Sequence, residues 1–341
     1  MSGAAGVRTV LQRVAAGETF SQESMAEAVE ALTAEGTPAQ MAAFLMGLRV
    51  RGETVDEITG AARAMRARMT AVTVAPGAID IVGTGGDGHG TFNVSTAAAL
   101  VAAGAGLKVA KHGNRSVSSL SGASDVLAAL GVKLDCGPEV IARAVDEAGV
   151  GFLWAPHHHP AFRAWAPARA ELGVRTLFNL LGPVCNPAGV RRHVIGVFAH
   201  AWVTPVAEVL RALGSERAWV VHGYDGLDEL STTGPTAVAC LDGGTITTFE
   251  VTPEDAGLER VTLSELKGGD GARNAEALKE LLAGALGPYR DIVLLNAAAA
   301  LIVAGRAESL REGAALAEEA IASGRAARAL ERLVAISQGT R

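Results

Sequence analysis

From residue 7 to about residue 69 apolar side chains recur every three or four positions, at Val10 and Val14, at Met25, Ala28 and Leu32, at Met41, Phe44, Leu45 and Leu48, and at Ile58, Ala61 and Met65. That spacing puts them on one face of successive helices, and no stretch here reads as a strand. Helix starts are legible at Ser21 followed by Glu23, at Thr37-Pro38, and at Thr54 ahead of Asp56 and Glu57. Met41, Leu45 and Leu48 suit either the core of this helical unit or a surface shared with a second copy.

Beyond Ala75-Pro76-Gly77 the rhythm changes to short apolar runs alternating with helical stretches. Residues 78–82, 106–110, 151–154, 193–198 and 218–222 read as strands, with helices at 93–103, at 126–130, from Pro138 onward, at 161–172 and at 204–213. Such alternation predicts a largely parallel sheet. Residues 237–241 and 245–251 read as an antiparallel pair turning at Asp242-Gly243-Gly244. From Ser264 to Ser337 the pattern is mainly helical scaffold, with a loop at Lys267-Gly268-Gly269-Asp270 and Asn296 as a satisfied buried polar group. The expected fold is therefore α/β, with a small all-helical domain at 1–72 and a large domain at 76–341 whose mainly parallel central sheet is flanked by helices. Residues 175–187, where helix signals are broken by Gly182 and Pro183, read as a crossing between the two. A segment of about 167–188 is accordingly assigned to the small domain.

The 341 residues exceed one usual core, which agrees with two units, and 49% apolar against 19% charged residues excludes a disordered chain. A net charge of −6 argues against a general nucleic-acid binder, which needs a basic face to displace counterions. Cys136, Cys185 and Cys240 are widely spaced, so neither a disulfide framework nor a zinc site is indicated. The first 20 residues lack an apolar signal core, and the longest apolar run, 292–303, is interrupted by Asn296 and too short to span a bilayer. A cytoplasmic protein without membrane contact is expected.

Candidate chemistry starts at Asp80-Ile81-Val82-Gly83-Thr84-Gly85-Gly86-Asp87-Gly88-His89-Gly90-Thr91-Phe92-Asn93-Val94-Ser95-Thr96, where a strand empties into glycines and then a helix start. Glycines let backbone approach an anion, and the uncapped N–H groups of a first helical turn are its donors. Gly83, Gly85 and Gly88 also satisfy the dinucleotide fingerprint, but the acidic ribose contact expected some 20 residues on is replaced by Lys108 and Lys111. The second strand delivers Lys111-His112-Gly113-Asn114-Arg115 beside the first loop, and the serine-rich run from Ser116 to Ser124 leads into a second donor-rich helix start. His157, His158 and His159 are not read as a metal site, because adjacent side chains diverge in an extended loop. Asp225, Asp228 and Glu229 crowd three carboxylates into five residues, a cluster that a cation stabilises, and magnesium would bring phosphates with it. Two phosphate cradles, an acidic loop and no Gly-x-Ser-x-Gly or Cys–His nucleophile suit a reaction in which a diphosphate leaves.

These stretches, together with His159-Pro160-Ala161, Arg175-Thr176 through Asn186-Pro187 and Asp228-Glu229, resemble the anthranilate phosphoribosyltransferase family over nearly the whole chain. The resemblance implies transfer of the 5-phosphoribosyl group of phosphoribosyl pyrophosphate to the amine of anthranilate, releasing pyrophosphate in tryptophan biosynthesis. It implies the nucleoside-phosphorylase type of fold and a homodimer through the helical domain. By the same resemblance Gly83, Thr84, Gly85, Gly86, Asp87, Thr91, Asn93, Ser95, Thr96, Lys111, Asn114, Ser119, Ser121 and Ala123 hold phosphoribosyl pyrophosphate. Gly83, Asn114, His112, His159, Arg169 and Pro183 line the anthranilate route, and Ser95, Asp228 and Glu229 bind two Mg2+ ions per subunit. Lys111, Asp87 and Arg169 are the expected catalytic residues. The chain reads Gly122-Ala123-Ser124-Asp125 where the family usually has Gly-Ser-Ala-Asp, so one hydroxyl is displaced by a residue. Two alternatives share the fold. A pyrimidine nucleoside phosphorylase lacks the anthranilate arginine and the Leu-Gly-Pro crossing, and a non-catalytic nucleic-acid-binding relative would be basic and lack Asp228-Glu229.

Overall fold

The computed structural model describes residues 6–114 and 120–340. Four helices open the chain: α1 (Val7–Ala15), α2 (Gln22–Glu35), α3 (Pro38–Arg51) and α4 (Val55–Ala67). Their starts carry the side-chain caps the sequence promised. Ser21 accepts from the Ser24 N–H, and Thr37 with Gln40 and Thr54 with Glu57 form reciprocal capping boxes.

The α/β part follows as β1 (Ile79–Gly83), α5 (Val94–Gly104), β2 (Val109–Gly113), α6 (Ala123–Ala129), α7 (Pro138–Glu147), β3 (Val150–Trp154), α8 (Ala155–His158), α9 (Pro160–Leu172) and α10 (Leu177–Val184). It continues with β4 (Arg192–Gly196), α11 (Val203–Ala212), β5 (Arg217–Gly223), β6 (Thr236–Asp242), β7 (Thr245–Val251), α12 (Gly271–Leu282), α13 (Pro288–Val303), α14 (Leu310–Ala322) and α15 (Arg325–Ser337). One seven-stranded sheet runs in the order β3-β2-β1-β4-β5-β6-β7, parallel from β3 to β5 and antiparallel across β5-β6-β7. The order reverses between β1 and β4. In open parallel sheets the crevice outside the carboxyl ends of such a pair is where ligands bind.

Two expectations shift. The second strand is three residues later than the hydrophobic run suggested, because Gly106 (φ +95°) and the Leu107 N–H, bonded to the Ala102 carbonyl, are spent closing α5. Lys111 and His112 therefore lie within β2 and not after it. Second, the histidines at 157 and 158 end a short helical turn opened by Pro156, where an extended loop was expected.

Side chains alternate between the two faces of β5. Trp219 and Val221 pack with α5 and the C-terminal helices, while Ala218 and Val220 pack with α1–α4, α9, α10 and α11. Met41, Leu45 and Leu48 are buried in the second of these cores within the single chain. Trp165 of α9, fully buried, stitches it together by packing on Phe44 and Phe178 and donating its indole N–H to Thr33 Oγ1 at 2.9 Å.

Glu57 is the polar hub of the helical part. Fully buried, it accepts from the N–H groups of Phe20 (3.0 Å) and Thr54 (2.9 Å) and pairs with Arg51. Its removal leaves two backbone donors without an acceptor and the Arg51 guanidinium without its carboxylate, held only by the Glu18 and Gly52 carbonyls. Glu57→Ala is expected to lower unfolding free energy by about 3–5 kcal/mol, read from urea denaturation. A loss below about 1 kcal/mol contradicts the hub role.

Candidate active site

β1 ends at Gly83, and the Thr84 N–H donates to the carbonyl of Gly196, its neighbour at the carboxyl end of β4. The chain then turns through Gly85, Gly86, Gly88 and Gly90, all with positive φ. Such backbone favours glycine and leaves N–H groups facing outward. Asn93 occupies the N-cap position of α5 but does not cap it. Its Oδ1 accepts from Asn274 Nδ2 (2.8 Å) and Ser121 Oγ (3.3 Å), and its Nδ2 donates to the Ser121 carbonyl. Asn93 thus ties three segments together. The first turn of α5 is met instead by Glu229, whose Oε1 accepts from the Ser95 N–H at 3.2 Å.

The acidic turn after β5 reaches into the same crevice. Asp228 Oδ2 accepts from the Gly85 N–H at 2.6 Å, and Asp87 lies beside Asp228. A Cβ on Gly83 would come within 2.3 Å of Asp228 Oδ2, and one on Gly196 within 1.5 Å of the Asp228 carbonyl oxygen. At Gly196 the obstruction is main chain, so only a residue without a side chain admits the turn there; at Gly83 it is first the Asp228 carboxylate. Asp225, the third carboxylate of the cluster, turns away and accepts from the hydroxyls of Ser231 and Thr233, both at 2.6 Å. Burial pushes the Asp228 and Glu229 carboxyls well above the usual range, with Asp87 adding to the first shift and Asp228 to the second. Hard oxygen donors crowded so closely fit a divalent cation. Among the described residues no three His, Cys, Asp or Glu side chains form a complete metal site, so remaining ligands would come from substrate oxygens and water.

Lys111 of β2 is buried under this crevice, its Nζ donating to the Ile81 carbonyl (2.6 Å) and to Ser95 Oγ (3.2 Å). Burial lowers its pKa, opposed by Asp80, Glu229 and Asp228. Asp80, fully buried in β1, accepts from the His112 N–H (3.1 Å) and from Asn186 Nδ2 (2.7 Å), and burial raises it to about 6. Asn186 also donates to the Ala110 carbonyl at 2.8 Å. The crossing segment is therefore sewn to β1 through Asp80 and to β2, which carries Lys111 and His112, through Ala110.

On the other side of β2, His112 Nδ1 lies 3.1 Å from the Gly182 carbonyl and its Nε2 3.2 Å from His159 Nε2. A carbonyl can only accept, so His112 carries its proton on Nδ1 and His159 donates from Nε2. Burial lowers both, His159 to about 4, so both rings are neutral at pH 7. From His159 the ring contacts continue to Phe162, then Phe178, with the Arg169 guanidinium 5.2 Å above the Phe178 ring. Burial holds Arg169 below its ordinary pKa, with no carboxylate among the described residues offsetting it. An aromatic wall ending in an uncompensated guanidinium suits a planar aromatic acid. Pro183 follows the Gly182 carbonyl in α10.

Of the other expected contacts, Thr96 is buried in the first turn of α5, and the Thr91 backbone pairs with Lys267. The Asn114 carbonyl accepts from the Ser124 N–H, and Ala123 opens α6. Ser119 lies outside the described residues. Residues missed by sequence reasoning are Asp80, Gly196, Asn274 and the turn at 266–268, whose backbone bonds Phe92 and Gly90. A carboxylate inside an apolar strand and an asparagine facing a helical core were the available signals.

Comparison with known proteins agrees with this geometry. Residues 75–327 match the family model described as glycosyl transferase family, a/b domain, and residues 8–69 match the helical bundle domain of the same family. The chain is 58% identical over 331 residues to an anthranilate phosphoribosyltransferase of Rhodopseudomonas palustris (strain TIE-1), covering 97% of this chain and 98% of that one. It is 60% identical over 332 residues to that of Rhizobium meliloti (strain 1021), with the same coverage. The crystal structure of anthranilate phosphoribosyltransferase from Thermus thermophilus superposes with a TM-score of 0.91 at 47% identity, covering 96% of this chain and 99% of that one. The Saccharomyces cerevisiae enzyme in complex with PRPP and Mg gives 0.90 at 30% identity, covering 98% of each chain. With both family domains matched, the fold shared end to end and the glycine and acidic turns meeting in one crevice, the chain belongs to the anthranilate phosphoribosyltransferase family.

Proposed function

We propose that this chain transfers the 5-phosphoribosyl group from phosphoribosyl pyrophosphate to the amine of anthranilate, giving N-(5-phosphoribosyl)anthranilate and pyrophosphate for tryptophan biosynthesis. The observation that carries this reading is the convergence of the glycine turn and the acidic turn, joined by the Gly85–Asp228 hydrogen bond, next to the aromatic wall that leads to Arg169. Gly83, Thr84, Gly85, Gly86, Asp87, Thr91, Asn93, Ser95, Thr96 and Lys111 would hold the diphosphate and ribose, with Asn114, Ser119, Ser121 and Ala123 at the second helix start. Ser95, Asp228 and Glu229 would hold two Mg2+ ions, which supply positive charge to the departing pyrophosphate when bound. Gly83, Asn114, His112, His159, Pro183 and Arg169 would receive anthranilate, Arg169 pairing with its carboxylate.

The chemistry follows from the charges. As the anomeric C–O bond breaks, negative charge grows on pyrophosphate and positive charge on the ribosyl carbon, and Lys111 with outward N–H groups of the glycine turn stabilises the former. Anthranilate's amine is neutral at pH 7, so positioning by the aromatic wall replaces a strong base, and attack inverts the anomeric centre. We further propose residues 1–72, with the crossing segment of about 167–188, as a helical domain hinged to the large domain of 76–341. Dimerisation through that helical domain and a cytoplasmic location belong to the same proposal; no helix among the described residues is long and apolar enough to cross a membrane.

The direct test is anthranilate fluorescence in the presence of phosphoribosyl pyrophosphate, with Mg2+ and again with excess EDTA. Loss of signal with the metal and none with the chelator supports the reading; a stable signal in both, or phosphorolysis of thymidine, removes it. Arg169→Ala is expected to raise the anthranilate KM roughly 10- to 100-fold, the worth of one charge-assisted hydrogen-bonded pair, while the KM for phosphoribosyl pyrophosphate changes little. Equal rises in both KM values would place Arg169 outside the anthranilate route.

A further inference from the structure

Asn296 lies near the middle of α13, fully buried in a helix otherwise almost wholly apolar. Its Oδ1 accepts from the Leu230 N–H at 3.0 Å, and its Nδ2 donates to the Leu230 carbonyl at 2.8 Å and to the Ile292 carbonyl at 2.9 Å. Leu230 directly follows Asp228 and Glu229. A side-chain amide that both donates to and accepts from one backbone residue fixes that residue in position and orientation, as a strand neighbour would. Seven residues earlier on the same helix, two turns away and on the same face, Tyr289 stacks on Phe92 with ring centroids 4.3 Å apart. Its hydroxyl also reaches the Asn93 carbonyl at 3.4 Å, at the entry to the helix that carries Ser95. One helix thus braces both walls of the crevice. The helix also packs closely on α14, where a Cβ on Gly313 would lie 2.8 Å from the Ala298 Cα.

We propose that Asn296 is a positioning residue for the divalent cation, holding the Asp228–Glu229 turn at the spacing from Ser95 that the cation and diphosphate require. The proposal rests on the functional reading above. An apolar or acidic replacement leaves the turn in the same fold but releases Leu230: alanine offers no partner, and a carboxylate at 296 accepts from the N–H while facing the Leu230 and Ile292 carbonyls with like charge.

The experiment compares wild type with Asn296→Asp and Asn296→Ala, varying Mg2+ at saturating substrates and anthranilate at saturating Mg2+. The half-saturating Mg2+ concentration is expected to rise about tenfold or more, as for other groups that orient metal ligands, while the anthranilate KM stays within about twofold. Two readouts do not depend on turnover. Mn2+ binding in the presence of phosphoribosyl pyrophosphate, followed by the resonance signal of free Mn2+ against a substrate-only control, should weaken by a similar factor. Hydrogen exchange at the Leu230 amide, without added metal, should accelerate in Asn296→Ala, which leaves the N–H without its acceptor, and less in Asn296→Asp, whose carboxylate still accepts from it. Folded variants with unchanged Mg2+ and Mn2+ dependence overturn the proposal, as does an equal rise in the anthranilate KM. Loss of fold in both variants assigns Asn296 to stability and overturns it too. A wild-type protein that neither needs nor binds the cation overturns the functional reading itself, which separates the two failures.

Discussion

A Gly196→Ala variant is expected to fold and to lose about 100-fold or more in kcat/KM. Gly196 closes β4 at the point where the sheet order reverses, and an added Cβ would sit 1.5 Å from the Asp228 carbonyl oxygen, 2.3 Å from its carbonyl carbon and 3.1 Å from its Cα. No side chain can swing aside, because the obstruction is main chain. Gly196 has an ordinary backbone conformation, so the effect is steric and not conformational strain. Relieving the overlap costs about 1–3 kcal/mol if the turn moves outward, which a well-packed chain of this size tolerates. Movement of more than an ångström separates Asp228 from the Gly85 N–H and Glu229 from the Ser95 N–H, and misplacement of that order costs about 100-fold in rate. Steady-state kinetics beside a thermal melt checks both halves. Wild-type turnover would show that the acidic turn need not sit against β4. Gly83→Ala should be milder, because its new Cβ meets the tip of the Asp228 side chain first.

Lys111→Ala is the second large effect. Its ammonium is the only buried cation bonded to Ser95 Oγ among the described residues, and Asp80, Asp228 and Glu229 all face it electrostatically. Without it, charge developing on the leaving pyrophosphate loses a preorganised donor, an effect of about 100- to 1,000-fold in kcat. In the proposed site anthranilate lies on the far side of β2, against His112 and Arg169, so its KM should change by less than about threefold. Parallel losses in kcat and anthranilate affinity would contradict the division of labour between the two faces of β2. Lys111→Met, which fills more of the vacated volume, separates the charge effect from a packing defect.

How much of this was legible beforehand depended on whether a group acts through local or distant partners. The caps at Ser21, Thr37 and Thr54 were readable because each bonds three residues away. The glycine turn was readable because its conformation is written in consecutive letters. Asp80 and the bond from Asn274 to Asn93 were not, since these partners lie 32 to 181 residues away and only the sheet order and the packing of α12 bring them together. Asn93 shows the same limit in reverse. Its position predicts a helix cap, yet Asn274 and Ser121 compete for its side chain and win. Gly196 carried no signal at all, because nothing in a strand-ending glycine says that a loop from the next strand must pass over it.

The β6-β7 hairpin offers a practical use. β6 runs antiparallel to β5, so the turn joining it to β7 at Asp242-Gly243-Gly244 sits at the edge where the parallel strands begin, opposite the end that holds Gly83 and Gly196. Gly243 and Gly244 are exposed, and β7 is open to water along most of its length. A fluorophore, affinity handle or inserted reporter peptide attached there would stand a full strand length from the chemistry, giving a labelled enzyme for single-molecule observation without disturbing either substrate's path.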